Sequence, residues 1–282
     1  MRIQHLLDFY RLYQSDYWLN KLLLLRNAIV HYEEVKPHLH DGAALVDDES
    51  FLRMLKMELH FMYFQIIEAL FDMIFAIEDD RDEILWYTLS FSNWTDYGKR
   101  IRAIADGSST IFSMIKRIND EVSLPFVQYL FFLVYQPFEN EEQKEANLKF
   151  SNRALRVFAY DYSDRGDYNA FKHSLRLYHS GFKLGVGIGS TENLQLVGSA
   201  DDAITYLEKD ADGRVRETTK SFDPERDFRM SCMCYRLICN LINSRKHAYL
   251  DIEGKCLLFD EEDFDAANER SFTVGRTSFT ID

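Results

Sequence analysis

Asp47-Asp48-Glu49-Ser50 opens a run, FLRMLKMELHFMYFQIIEALFDMIFAIE, that reaches Glu78 without a glycine or a proline. Acids and a small hydroxyl at the start suit a helix N-terminus, where orphan N–H groups need acceptors and the dipole favours negative charge. The run predicts a single helix to Glu78, roughly 40 Å long at 1.5 Å per residue. Its most apolar part, Phe61 to Ile77, is interrupted by Glu68 and Asp72, so it reads as a helix packed inside protein. Leu124 to Tyr135 is more lipid-like but shorter than the ~20 residues a membrane span needs. It predicts a helix buried on most sides.

Working outward, the chain keeps this helical character to about residue 180. A first helical stretch runs from His5 to Lys36, notched near Ser15-Asp16 and stopped by Pro37, and a loop covers His38 to Asp48. Further helices are expected at Asp80–Ser90, Trp94–Ala105, Ser109–Val122, Pro125–Tyr135, Asn140–Tyr160 and Asp167–His179. Seven of the twelve glycines then crowd between Gly166 and Gly213. Short strands are expected at Lys183–Ile188, Leu194–Val197, Ala203–Glu208 and Arg214–Thr219, with Asp212-Gly213 as a hairpin turn. Pro224 starts another helix to Tyr249, with Arg245, Lys246 and His247 near its negative end. The tail from Gly254 offers one more strand. The fold class is therefore mainly α: a helical bundle with a small antiparallel β-sheet insertion near residues 182–220. No polar linker separates its parts, so 1–282 reads as one unit: bundle 1–181, β meander 182–222, returning helix and tail 223–282.

Composition narrows the function classes. With 46% hydrophobic and 15% aromatic residues there is ample core material, and disorder is excluded as the general state. A formal net charge of -13 argues against a protein that coats nucleic acid with its whole surface. It leaves room for a local cationic site that focuses anions. An acid at Asp8 arrives before any apolar signal region forms, and the expected location is cytoplasmic. Cys232, Cys234, Cys239 and Cys256 lack zinc spacing and read as reduced, buried thiols.

Several engines are missing. There is no HExxH, Walker A or GxSxG sequence. Gly185-Val186-Gly187-Ile188-Gly189 follows a helix rather than opening one, which discounts a dinucleotide site. Glu58, Gln65 and Asp72 are spaced by seven, but a di-iron bundle needs Glu-x-x-His pairs that this chain lacks. Glu68 and Asp72 are expected to pair with cations on a neighbouring helix. His38-Leu39-His40-Asp41 is the one loop with metal-ligand types, and a solvated loop is the preferred reading. No metal or cofactor is expected.

Two segments carry candidate chemistry. In Asp167–Arg176, read as a helix, Asn169, Lys172, His173 and Arg176 fall at i, i+3, i+4 and i+7 and share one face, while Phe171, Leu175, Tyr178 and Phe182 form an apolar stripe. The polar strip reads either as an anion or phosphate site or as a solvated, charge-paired face. The second segment is Arg26-Asn27-Ala28-Ile29-Val30-His31. A guanidinium can neutralise phosphate charge, and an imidazole near its ordinary pKa can move protons at neutral pH.

This second segment resembles the motif of the HEPN family, helical proteins marked by an Arg, often followed by a polar residue, then four to six positions and a His. Arg53 to His60 satisfies the same spacing. The family includes metal-independent ribonucleases of toxin–antitoxin and phage-defence systems, along with non-catalytic members, and its site typically forms between two bundles of a dimer. The resemblance implies that Arg26 binds phosphate, Asn27 supports it and His31 transfers protons, with RNA as ligand and a homodimer as the working form. Two other readings stay open. One is a non-catalytic interaction or regulatory module whose cationic strip meets an acidic protein partner. The other is a small-molecule enzyme with an anionic substrate.

Overall fold

The computed structural model describes residues 2–39, 47–91, 94–133, 138–173, 176–186, 195–209, 212–258, 260–270 and 275–280. Residues His40 and Asp41, with the remainder of the first loop to residue 46, lie outside them, as do Gly187 to Gly189. The mainly α architecture with a small antiparallel sheet is what the chain adopts.

Three helices occupy the first stretch: α1 (Arg2–Leu12), α2 (Asp16–Val30) and α3 (Tyr32–Leu39). The break at Ser15-Asp16 is where the sequence placed it. The chain passes His31 without losing helical hydrogen bonding: its N–H donates to the Asn27 carbonyl at 2.9 Å, and its own carbonyl accepts from Glu34 and Val35. Pro37 lies inside the last turn of α3 rather than ending it. Helix α4 (Asp48–Glu78) spans the whole expected run. Its cap is the Asp47 carboxylate, which accepts from both the backbone N–H and the hydroxyl of Ser50 at 2.8 Å. By length and composition α4 could cross a membrane, but 78% of its most apolar window is buried by protein.

A 3-10 turn at Asp82–Ile84 leads to α5 (Leu85–Leu89), followed by α6 (Trp94–Ala105). The expected helix over Ser109–Val122 is instead a 3-10 turn and a hairpin of β1 (Ile115–Arg117) and β2 (Ser123–Pro125). The cause is Asn119, whose side-chain oxygen accepts from the backbone N–H of Glu121 and Val122 and closes the turn. Next come α7 (Phe126–Phe132), buried along its length, and α8 (Glu141–Ser163), capped by Asn140. Helix α9 (Gly166–Lys172) is shorter than the expected Asp167–His179, because β3 (Leu177–Val186) begins where the last turn was to be. The sheet continues with β4 (Gln195–Lys209) and β5 (Val215–Ser221), after which come α10 (Pro224–Leu250), α11 (Glu261–Asn268) and β6 (Arg276–Thr280). The strands pair antiparallel in the order β3-β4-β5-β6. The sheet therefore starts ahead of residue 182 and recruits the tail as its fourth strand.

Backbone contacts group the chain into two compact units, each built from discontinuous segments. One comprises Met1–Asn20, Gln65–Asp164 and Met230–Ala267. Its core holds Ile66, Leu70, Phe71, Ile74 and Phe75 of α4, with α6 lying along α8 and Phe264 of α11 edge-on to Phe150. Arg245, expected to serve the end of its own helix, turns to α7 instead. Fully buried, it donates to the carbonyls of Tyr129 and Leu130 at 2.8 and 2.7 Å and stacks on the Tyr129 ring. Ser244 donates to the carbonyl of Phe131, so α10 caps α7 with two consecutive residues. All four cysteines are free thiols, and burial raises the pKa of Cys234, Cys239 and Cys256, the last to about 12.

The other unit comprises Lys21–Phe64, Arg165–Arg229 and Asn268–Asp282. Hydroxyls line the sheet here: Ser180, Thr205 and Thr219 are bonded in series at 2.8 and 2.7 Å across three strands. Gly275 and Ser221 exchange hydrogen bonds where β6 joins β5. Helix α9 packs on β4 through a close approach at Gly166, where a Cβ would stand 2.8 Å from the Tyr206 hydroxyl and 3.2 Å from Glu208. Gly166→Ala must push α9 away from the sheet. We expect it to destabilise the protein by about 1–3 kcal/mol, measured as a lowered urea midpoint with an unchanged circular dichroism spectrum at zero urea.

Candidate functional site

The second unit contains an open cleft of about 260 Å³, lined by Arg26, Ile29 and Val30 of α2, Lys56 and Leu59 of α4, Asp202 of β4, and Asp223, Pro224 and Glu225 at the head of α10. Of the residues singled out in the sequence, Arg26 is the one that lines it. Its guanidinium lies over the Phe228 ring, 4.7 Å from the centroid, and reaches Glu225 through a single Nη2–Oε1 contact of 3.3 Å. Its Nε is buried and finds no hydrogen-bond partner among the described residues. Lys56 enters from α4 and donates to both carboxylate oxygens of Asp202 at 3.0 Å. His179 of β3 stands behind that pair, its Nε2 3.8 Å from Asp202 Oδ1. Desolvation opposes the Asp202 charge, but His179 and Lys56 together hold its pKa below the usual carboxylate range. Asp223 caps α10, its Oδ1 accepting from the N–H groups of Glu225 and Arg226.

Asn27 of α2 and His31, just past its end, are exposed and do not line the cleft. His31 Nδ1 lies 3.7 Å from Glu34 Oε1. Asn169, Lys172, His173 and Arg176 are likewise all exposed, but they do not form one helical strip. The helix ends at Lys172, His173 is its C-cap, and Arg176 lies past the turn, with its N–H bonded to the Ala170 carbonyl and its Nε to the His173 carbonyl. Lys172 folds over the Tyr168 ring. The apolar stripe is broken at the same place, since Tyr178 is on a strand and more than half exposed.

Behind the cleft, α4 carries a second charge four residues beyond Lys56, the histidine noted in the sequence only for its spacing from Arg53. His60 is buried, with Nδ1 2.6 Å from Asp227 of α10 and Nε2 3.1 Å from Asp167 of α9. Asp167 also meets Lys220 of β5 at 3.3 Å and accepts from the Tyr168 N–H at 2.8 Å. Asp227 in turn faces Arg226, 3.9 Å away. A carboxylate at each ring nitrogen requires both nitrogens to carry protons, so this is an imidazolium. Burial alone would drive its proton off, but Asp227 and Asp167 outweigh burial and raise the His60 pKa to about 9. Burial would also raise that of Asp167, yet Lys220 and His60 hold it well below the carboxylate range. Pinned on both sides, His60 joins three helices and the sheet and is closed to substrate.

Elsewhere, Lys149 and Arg153 on α8 line open grooves but are paired with Glu261 and Asp265 of α11. Among the described residues no three His, Cys, Asp or Glu side chains converge as metal ligands.

The folded His60 keeps its proton to about pH 9, whereas an unfolded imidazole loses it near 6.5. The bridge therefore stabilises fully below the unfolded value and fades as pH rises through the folded one. Asp167 works in the opposite sense, losing its contribution as pH falls from the ordinary carboxylate value toward its depressed one. The wild-type unfolding free energy, read from urea titrations, should decline between about pH 6.5 and about pH 9, and His60→Gln should lower it by about 3–5 kcal/mol near neutrality and flatten that decline. An equal slope in both proteins would show that His60 is neutral in the fold. Compared with family models, curated proteins and solved structures, the chain matches none.

Proposed function

We propose that this chain is a HEPN-like RNA-binding or metal-independent RNA-cleaving protein of the cytoplasm, acting as a homodimer of a defence or toxin–antitoxin system. Arg26 binds phosphate, Asn27 supports it and His31 transfers protons. The observation that carries this reading is the state of Arg26: half-exposed in a cleft, held by one long contact to a displaceable carboxylate, with Nε unused among the described residues. A half-exposed guanidinium pre-oriented on an aromatic ring suits phosphate recognition. His31 adds an exposed imidazole five residues on, accessible to a polymer. Leu23, Leu24 and Val30, exposed on α2 around Asn27, offer apolar surface for the second copy.

A non-catalytic interaction module is favoured by a different observation. Asn169, Lys172, His173 and Arg176 stay exposed even though the helix face that was to unite them does not exist. In that case the partner is acidic and there is no turnover.

The deciding experiment is cleavage of labelled single-stranded RNA in EDTA by wild type, Arg26→Gln, His31→Ala and His173→Ala, each checked for folding. The ribonuclease reading expects loss of at least about 100-fold for Arg26→Gln and for His31→Ala, the lower range of a general acid–base contribution. It expects little change for His173→Ala. Wild type that binds RNA without cutting it leaves the binding form of the proposal. Wild type that does neither removes it in favour of the interaction module.

A further inference from the structure

The cleft holds two cations from different helices, and each is paired with a carboxylate that has a second basic neighbour. Arg26 contacts Glu225, and Glu225 lies 3.8 Å from Arg229, one turn along its own helix. Lys56 contacts Asp202, and Asp202 has His179 at 3.8 Å on the adjacent strand. An arriving anion can therefore take both cations while each carboxylate keeps a second basic side chain within 3.8 Å. The Arg26–Glu225 pair is 38% and 44% exposed, the weak class of ion pair that a better-fitting anion displaces at small cost. At about 260 Å³ the cleft has room for several waters' worth of ligand, each water taking about 30 Å³ of liquid.

We propose that this cleft is a phosphate site: a phosphate group seats between the Arg26 guanidinium and the Lys56 ammonium, displacing Glu225 toward Arg229 and Asp202 toward His179. Lys56 is then a second phosphate-contacting residue and Glu225 a resident competitor that sets the affinity. The inference shares Arg26 with the RNA reading and rests on it only for the identity of the polymer. A free phosphomonoester and the diester of an RNA strand present the same chemistry.

The test uses the full chain and reads the arginine Nε–Hε resonances by NMR, with the Arg26 signal assigned by its loss in Arg26→Lys. Inorganic phosphate is titrated in one arm and a dinucleoside monophosphate in the other, at constant ionic strength. The site predicts a saturable shift of the Arg26 signal with one or both probes. Lys56→Gln should weaken binding about tenfold or more, the worth of one hydrogen bond to a charged group. Glu225→Gln, a near-isosteric substitution at a half-buried residue, should tighten it several-fold. Saturation by the diester points to a nucleic-acid backbone, and saturation by inorganic phosphate alone to a small phosphorylated ligand. No saturable shift with either probe, or a Glu225→Gln affinity equal to or weaker than wild type, overturns the site. Because neither RNA nor turnover enters the readout, phosphate binding without RNA cleavage would separate this inference from the ribonuclease reading.

Discussion

The second unit depends on one proton, the one that makes His60 an imidazolium between Asp167 and Asp227. These side chains come from α4, α9 and α10, and Lys220 extends the network onto β5. A neutral ring could donate to only one of the two buried carboxylates and would turn a lone pair toward the other, which a low-dielectric interior does not tolerate. The imidazolium resolves this and fixes where the three helices meet the sheet. Phe64 and Phe222 pack on the His60 ring, so apolar contact and ionic contact converge on the same few side chains. The cleft above is shaped by this arrangement: Lys56 is one turn before His60 on α4, and Asp223 and Glu225 precede Asp227 on α10.

The long elements were legible because local chemistry decides them. Nothing interrupts α4, Pro224 sits at the first position of α10, and the glycine crowding after residue 166 marks the switch to strands. Where reading failed, side chains had overridden periodicity. Asn119 bonds its own backbone and turns an apparently helical stretch into a hairpin. The strip from Asn169 to Arg176 looked continuous only while a helix was assumed across it, and the start of β3 divides it. Pro37 erred the other way, being tolerated inside a final helical turn.

The site was half legible. Arg26 announced itself through its neighbours in sequence. Lys56 and Asp202 are 146 residues apart, His60 and Asp167 are 107, and no spacing rule links such pairs. One signal was present: Leu59-His60-Phe61 places an ionisable ring in the middle of an apolar run, and a buried imidazole needs partners from somewhere. What remained invisible was their identity, which only the fold supplies.

The order of strands has a consequence for biosynthesis. The sheet is completed by β6, which follows β5 only after the whole of α10 and α11. Until Arg276 and the residues after it emerge from the ribosome, β5 presents a bare edge of backbone donors and acceptors, the template on which one nascent chain can pair with another. The charged residues along that edge, Arg216 and Glu217, are well placed to hold off such pairing in the interval. A chain interrupted there would keep its helices and still carry a surface prone to association.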